Sequence, residues 1–151
     1  MIRTRKRLWL CISLLAANIL FIWVNSLLPR ELSAEFSRLV GSILNFLFPG
    51  PDIPASGQGH GLLRKVAHFT EFCSLGVLLG WLWGMLTHRS RFLLPAAAGF
   101  AVACVDETIQ CFVPGRGPGI LDVAIDTAGV LLGLAGLYLI YRYRKKRKQN
   151  P

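Results

Sequence analysis

Apolar residues gather into four runs, at 8–28, 66–86, 92–113 and 120–141. Each run is about 20 residues long, which a helix rising 1.5 Å per residue needs to cross a hydrocarbon core about 30 Å thick. A fifth pattern has a different period. In the segment 31–48, Leu32, Phe36, Leu39, Ile43 and Phe46 recur at alternating steps of four and three, with Glu31, Glu35 and Arg38 off that stripe. This spacing predicts an amphipathic helix, too short and too charged at its start to span, lying in the outer membrane interface. Pro49-Gly50-Pro51 is expected to end it, ahead of a polar, Gly-rich stretch that runs to Gly61. The fold class expected is all-α: an integral membrane bundle of four transmembrane helices, with the interfacial helix between helices 1 and 2.

Composition narrows this further. The chain has 151 residues, 53% of them hydrophobic and only 17% charged, against about 25% charged in an average soluble domain. A single soluble core this small has no room for several apolar runs of about 20 residues. One membrane domain over 1–151 is therefore expected, with an outer loop at 29–65 and a basic tail at 142–151. Run 1 follows basic residues as a signal peptide would, but it exceeds an h-region and leads into Pro29-Arg30-Glu31 rather than a cleavage site. It reads as a retained helix.

Charge sets the orientation. Arg3, Arg5, Lys6, Arg7, Arg89, Arg91, Arg142, Arg144, Lys145, Lys146, Arg147 and Lys148 lie on one side, leaving Arg30, Arg38, Arg64, Lys65 and Arg116 on the other. The positive-inside rule makes the richer side cytoplasmic, so both termini are expected in the cytoplasm. The net charge of +9 has no aromatic-bearing platform beside it, so no nucleic-acid partner is expected. The tail suits anionic lipid headgroups instead.

Small residues read as packing. Gly76, Gly80 and Gly84 share a face of run 2, and Gly129, Gly133 and Gly136 a face of run 4. Cys11, Cys73, Cys104 and Cys111 lack a CxxC spacing, and Cys104 and Cys111, two turns apart, are too distant for a disulfide.

The polar residues inside the runs need another explanation. Arg64, His68 and Glu71 form a stripe at the start of run 2; Asp106 and Gln110 share a face near the end of run 3, beside Glu107; Asp122 and Asp126 open run 4. From the expected span ends, Glu71, Glu107 and Asp126 each lie roughly 7–9 Å inside the outer boundary. A charged residue at a span centre costs about 2.5–3.5 kcal/mol, so such groups must face one another or a watery cavity. Two readings stand: an ion-paired network that locks the helices, or an outward-facing polar site. In the second, His68 and Glu71, one turn apart, make an imidazole–carboxylate pair suited to proton transfer, joined by Asp106 and Glu107. Arg64, Lys65 and Arg116 are suited to hold a phosphate, with Gln110, Asp122 and Asp126 lining the same site. A metal would take His68 with Glu71, Glu107 or Asp126, but no ligand-spacing motif is present, and no metal or other cofactor is expected. The turn Pro114-Gly115-Arg116-Gly117-Pro118-Gly119 matches neither a P-loop nor a dinucleotide fingerprint.

At these residues the chain resembles the VanZ-like family of bacterial membrane proteins. The resemblance rests on Arg64-Lys65-x-x-His68-Phe69-x-Glu71-Phe72, on Asp106-Glu107-x-x-Gln110-x-Phe112-x-Pro114-Gly115-Arg116, and on Asp122-x-x-x-Asp126-Thr127-x-Gly129. The family typically has Asn where Asp126 stands. The resemblance implies a cell-envelope role and a link to resistance against the glycopeptide teicoplanin, without supplying a reaction. Three functions are compatible with the residues: binding or modifying an anionic outer-leaflet lipid or lipid-linked cell-wall precursor; a small proton- or cation-coupled transporter; a non-catalytic assembly partner of envelope machinery. The transporter lacks any charged residue in the cytoplasmic half of a span.

Overall fold

A computed structural model describes residues 2–47, 58–87, 92–116 and 119–149. Its helices are α1 (Ile2–Leu27), α2 (Arg30–Leu47), α3 (Gln58–Thr87), α4 (Leu93–Cys111) and α5 (Ile120–Gln149). Four of them are long and apolar enough to cross a membrane, over Arg5–Leu27, Leu63–Thr87, Leu93–Cys111 and Ile120–Arg147. The all-α bundle with four spans is thus as expected.

The helix ends differ from the apolar runs for an identifiable reason: a helix does not stop where hydrocarbon does. α3 starts at Gln58, inside the stretch read as a polar, Gly-rich linker, and α5 continues through the basic residues to Gln149. No proline interrupts 58–87 or 120–149. The Pro49-Gly50-Pro51 stop and the cations Arg89 and Arg91 fall outside the described residues. Only Leu28 and Pro29 separate α1 from α2; Leu28 N donates to Asn25 O at 3.3 Å and Ser33 N to Pro29 O at 3.1 Å. A helix does form over Arg30–Leu47, with Leu32, Leu39, Ile43 and Phe46 exposed.

Packing is closest between α3 and α5, and glycine makes it possible. A Cβ added at Gly76 would collide with the backbone of Val130, and one at Gly133 with the backbone of Cys73. Gly129 meets the Phe69 carbonyl in the same way. The two backbones therefore touch, as small residues allow in membrane helices. Gly136, expected on the same seam, has nothing within 4 Å, so it is not part of the contact. Around this seam Ile22, Phe72, Leu75, Ala103, Val130 and Leu134 form the apolar core.

The polarity of the bundle is inverted relative to a soluble protein. Leu20, Phe21, Phe100, Leu131, Leu132 and Leu139 are exposed, whereas Ser26, Asp106, Glu107, Gln110 and Asp126 are buried. A lipid environment favours this arrangement, since exposed apolar side chains meet acyl chains and polar ones must find protein partners.

Candidate functional site

One end of the bundle carries the polar residues. The last turn of α1 supplies Asn25 and Ser26, the first turns of α3 supply Arg64, Lys65, His68 and Glu71, the last turns of α4 supply Asp106, Glu107 and Gln110, and α5 opens with Asp122 and Asp126. Arg116 comes from the connection between α4 and α5. There Val113, Pro114, Gly115 and Arg116 form a type II turn, closed by Arg116 N donating to Val113 O at 3.1 Å. Gly115 takes φ 77°, a left-handed conformation that glycine adopts without steric penalty.

Asp106 lies at the centre and is fully buried. Ser26 Oγ donates to its Oδ1 at 2.6 Å, and Gln110 Nε2 donates to its Oδ2 at 2.9 Å. His68 Nδ1 is 3.7 Å from the same Oδ2 and 3.8 Å from Asp126 Oδ1. His68 thus faces α4 and α5, and the expected pairing with Glu71 is not formed. Glu71 accepts instead from Asn25 Nδ2 at 2.9 Å. The reason is geometric: a spacing of three residues sets neighbours on one helix, while the close α3–α5 approach brings Asp126 nearer to the imidazole.

Glu107 points to the chain reversal. Its Oε1 accepts from Gly119 N, immediately before α5, which places a carboxylate at that helix's positive end. Arg116 makes the complementary contact. Its guanidinium donates to Ser26 O at 3.2 Å, one of the last-turn carbonyls of α1 that have no intrahelical donor. Burial first, and then the Arg64 charge, pull the Arg116 pKa below the usual guanidinium range; Asp106 and Glu107 oppose them.

Nearer the starts of α3 and α5, Arg64 and Lys65 converge on one carboxylate, Asp122, at 3.7 and 3.9 Å. Arg64, Lys65, His68, Gln110, Asp122 and Asp126 line a small cavity of about 10 Å³. A larger cavity, about 600 Å³, lies among Arg7, Trp81, Met85, Tyr141 and Arg144. Its residues belong to the start of α1 and the later turns of α3 and α5, so the expected polar site has no part in it. All ten residues expected to line the site therefore lie at one end of the bundle. Two participants went unnoticed in the sequence, Asn25 and Ser26 of α1. The available signal was two adjacent polar residues one turn before Pro29, in a run whose other polar residues, Ser13 and Asn18, stand singly.

Several buried polar atoms have no hydrogen-bond partner among the described residues: Glu71 Oε2, Glu107 Oε2, Arg116 Nε and both carboxylate oxygens of Asp126. Native proteins leave few such atoms, and each calls for a ligand, a water or an ion. No curated protein and no solved structure matches the chain. A family model described as VanZ/LLP1 matches residues 8–142, nearly its whole length, and the chain belongs to that family.

Proposed function

We propose that this protein binds an anionic, phosphate-bearing lipid or lipid-linked cell-wall intermediate at the outer face of the bacterial cytoplasmic membrane. The carrying observation is the convergence of Arg64 and Lys65 on the single carboxylate of Asp122, with Arg116 near enough to feel the Arg64 charge and its Nε buried without a partner among the described residues. Separations of 3.7 and 3.9 Å are ion pairs without hydrogen-bond geometry, so among the described residues the donors of Arg64 and Lys65 have room for another acceptor. A phosphate offers Arg bidentate acceptors, and acyl chains would lie against the exposed apolar faces beside it. In this reading both termini are cytoplasmic, α2 lies in the outer interface with Leu32, Leu39, Ile43 and Phe46 toward the acyl chains, and 1–151 acts as one membrane unit. His68, Glu71, Asp106 and Glu107 handle protons if the bound lipid is modified. A role in glycopeptide susceptibility follows from altered handling of such an intermediate.

The test is thermal unfolding of the purified protein in neutral detergent, with a polyprenyl phosphate or a zwitterionic lipid added. The phosphate lipid should raise Tm and the zwitterionic lipid should not. Arg64→Ala and Lys65→Ala should remove that response while leaving the lipid-free protein folded. An equal response to both lipids, or an unchanged response in these variants, rejects the reading.

A further inference from the structure

We infer that His68, Asp106 and Asp126 form a binding site for one divalent transition-metal cation, of the zinc or manganese class. This goes beyond the lipid reading and does not depend on it. Each residue comes from a different helix, and one ligand atom from each lies within 4.8 Å of the other two. Around a tetrahedral ion with bonds of about 2.0–2.2 Å, ligand atoms stand about 3.4 Å apart. The observed 3.7 and 3.8 Å from His68 Nδ1 to the two carboxylates need to shrink by only a few tenths of an ångström, and the two carboxylates, within 4.8 Å of each other, by at most about 1.4 Å. They are too long for hydrogen bonds, so the three side chains approach one another without satisfying one another.

Asp126 supplies the independent sign that something belongs here. It is 1% exposed, points at His68, and neither of its oxygens has a hydrogen-bond donor among the described residues. A carboxylate buried in this way is strongly disfavoured without a counter-charge. The surrounding charges do not provide one. With all five carboxylates ionised and His68 neutral, Glu71, Asp106, Glu107, Asp122 and Asp126 outnumber Arg64, Lys65 and Arg116 by two, and one divalent cation would balance the cluster. Asp106 is already oriented as a metal ligand usually is, by hydrogen bonds from Ser26 and Gln110. The adjoining cavity of about 10 Å³ is the size of one small additional ligand such as water. One imidazole and two carboxylates suit Zn²⁺ or Mn²⁺; Mg²⁺ and Ca²⁺ prefer oxygen-only shells with more ligands. A sequence motif does not betray the site because its ligands are distributed over α3, α4 and α5.

The experiment uses full-length protein in detergent, carrying Cys111→Ser to remove the exposed thiol, stripped with chelator and then exposed to Zn²⁺, Mn²⁺ or Mg²⁺. Metal retained after gel filtration is counted by elemental analysis, and Tm is read with and without metal. Zn²⁺ or Mn²⁺ should be retained at one per chain and raise Tm, and Mg²⁺ should not. Asp126→Asn keeps the side-chain shape and should lose both effects, while matching or exceeding the parent's Tm in chelator. Ser26→Ala should weaken binding about 10- to 100-fold through Asp106, and Glu31→Gln on α2 should bind as the parent does. Should Asp126→Asn fail to fold, His68→Gln decides the same point. Absence of retained metal in the parent overturns the proposal, as does undiminished retention in either variant.

Discussion

Replacing Ser26 by alanine removes one oxygen from a fully buried position and leaves the apolar packing of α1 in place. That oxygen donates at 2.6 Å to Asp106, the residue on which α1, α3, α4 and α5 converge. In water-soluble proteins a hydrogen bond to a charged acceptor contributes about 1.5–3 kcal/mol. In a bilayer, polar contacts between helices average about 0.6 and reach about 1.7 kcal/mol, because the separated helices also find partners. Ser26 belongs at the upper end, since Asp106 is 0% exposed and its only other hydrogen-bond donor among the described residues is Gln110. The expected loss is therefore about 1–2 kcal/mol, or about 5- to 30-fold in the folded-to-unfolded ratio. Reversible unfolding in mixed micelles measures it, with Thr108→Ala as the control. The Thr108 hydroxyl bonds only the Cys104 carbonyl of its own helix, at 2.7 Å, and is exposed. Its removal should change stability by less than about 0.5 kcal/mol. In an Asp106→Ala background the Ser26→Ala effect should shrink to that same level. An effect of Ser26→Ala no larger than that of Thr108→Ala would refute the reasoning.

Two further outcomes are expected. Gly133→Val should destabilise the protein by about 1–3 kcal/mol in the same assay, because its side chain meets the Cys73 backbone, whereas Gly136→Val should be tolerated. In a background lacking the four native cysteines, an impermeant thiol reagent applied to whole cells should label Pro114→Cys and not Arg142→Cys; the reverse pattern would invert the topology.

The spans were legible because hydrocarbon thickness imposes a length on apolar runs, and 120–141 marks the start of α5 to the residue. The gathering of Glu71, Glu107 and Asp126 at one end of the bundle was legible for the same reason, as a fixed rise converts sequence position into height. Lateral relations were not. His68 reads as the partner of Glu71 on spacing alone, but which helix it faces depends on the α3–α5 approach set by Gly76, Gly129 and Gly133. Glu107 reads as one more acid of the proton-handling group, and only the folded α4–α5 connection reveals that it receives the Gly119 amide. Asn25 and Ser26 escape a search for charges, because an amide and a hydroxyl do not interrupt an apolar run as an ion does.

The α4–α5 connection also shows how one residue serves two purposes. Arg116 closes the carbonyl end of α1 through Ser26 O while standing beside Arg64 at the mouth of the site. Substituting it affects the position of α1 as well as any bound anion, which is why Arg64 and Lys65 carry the binding test. Glu107 has the same dual character at the start of α5. A loss of activity at either position needs a stability measurement alongside it.

The convergence of α3, α4 and α5 on one buried centre is tested most directly by a solid-state NMR distance measurement. Protein carrying ¹⁵N-histidine and ¹³Cγ-aspartate, reconstituted in lipid, should show His68 Nδ1 dephased by two aspartate carboxyl carbons, consistent with N···O separations of 3.7 and 3.8 Å. The signal should weaken in Asp106→Asn or Asp126→Asn protein without carboxyl-labelled asparagine, and vanish in His68→Gln. A His68 ring nitrogen with no aspartate carboxyl carbon within range would contradict the account.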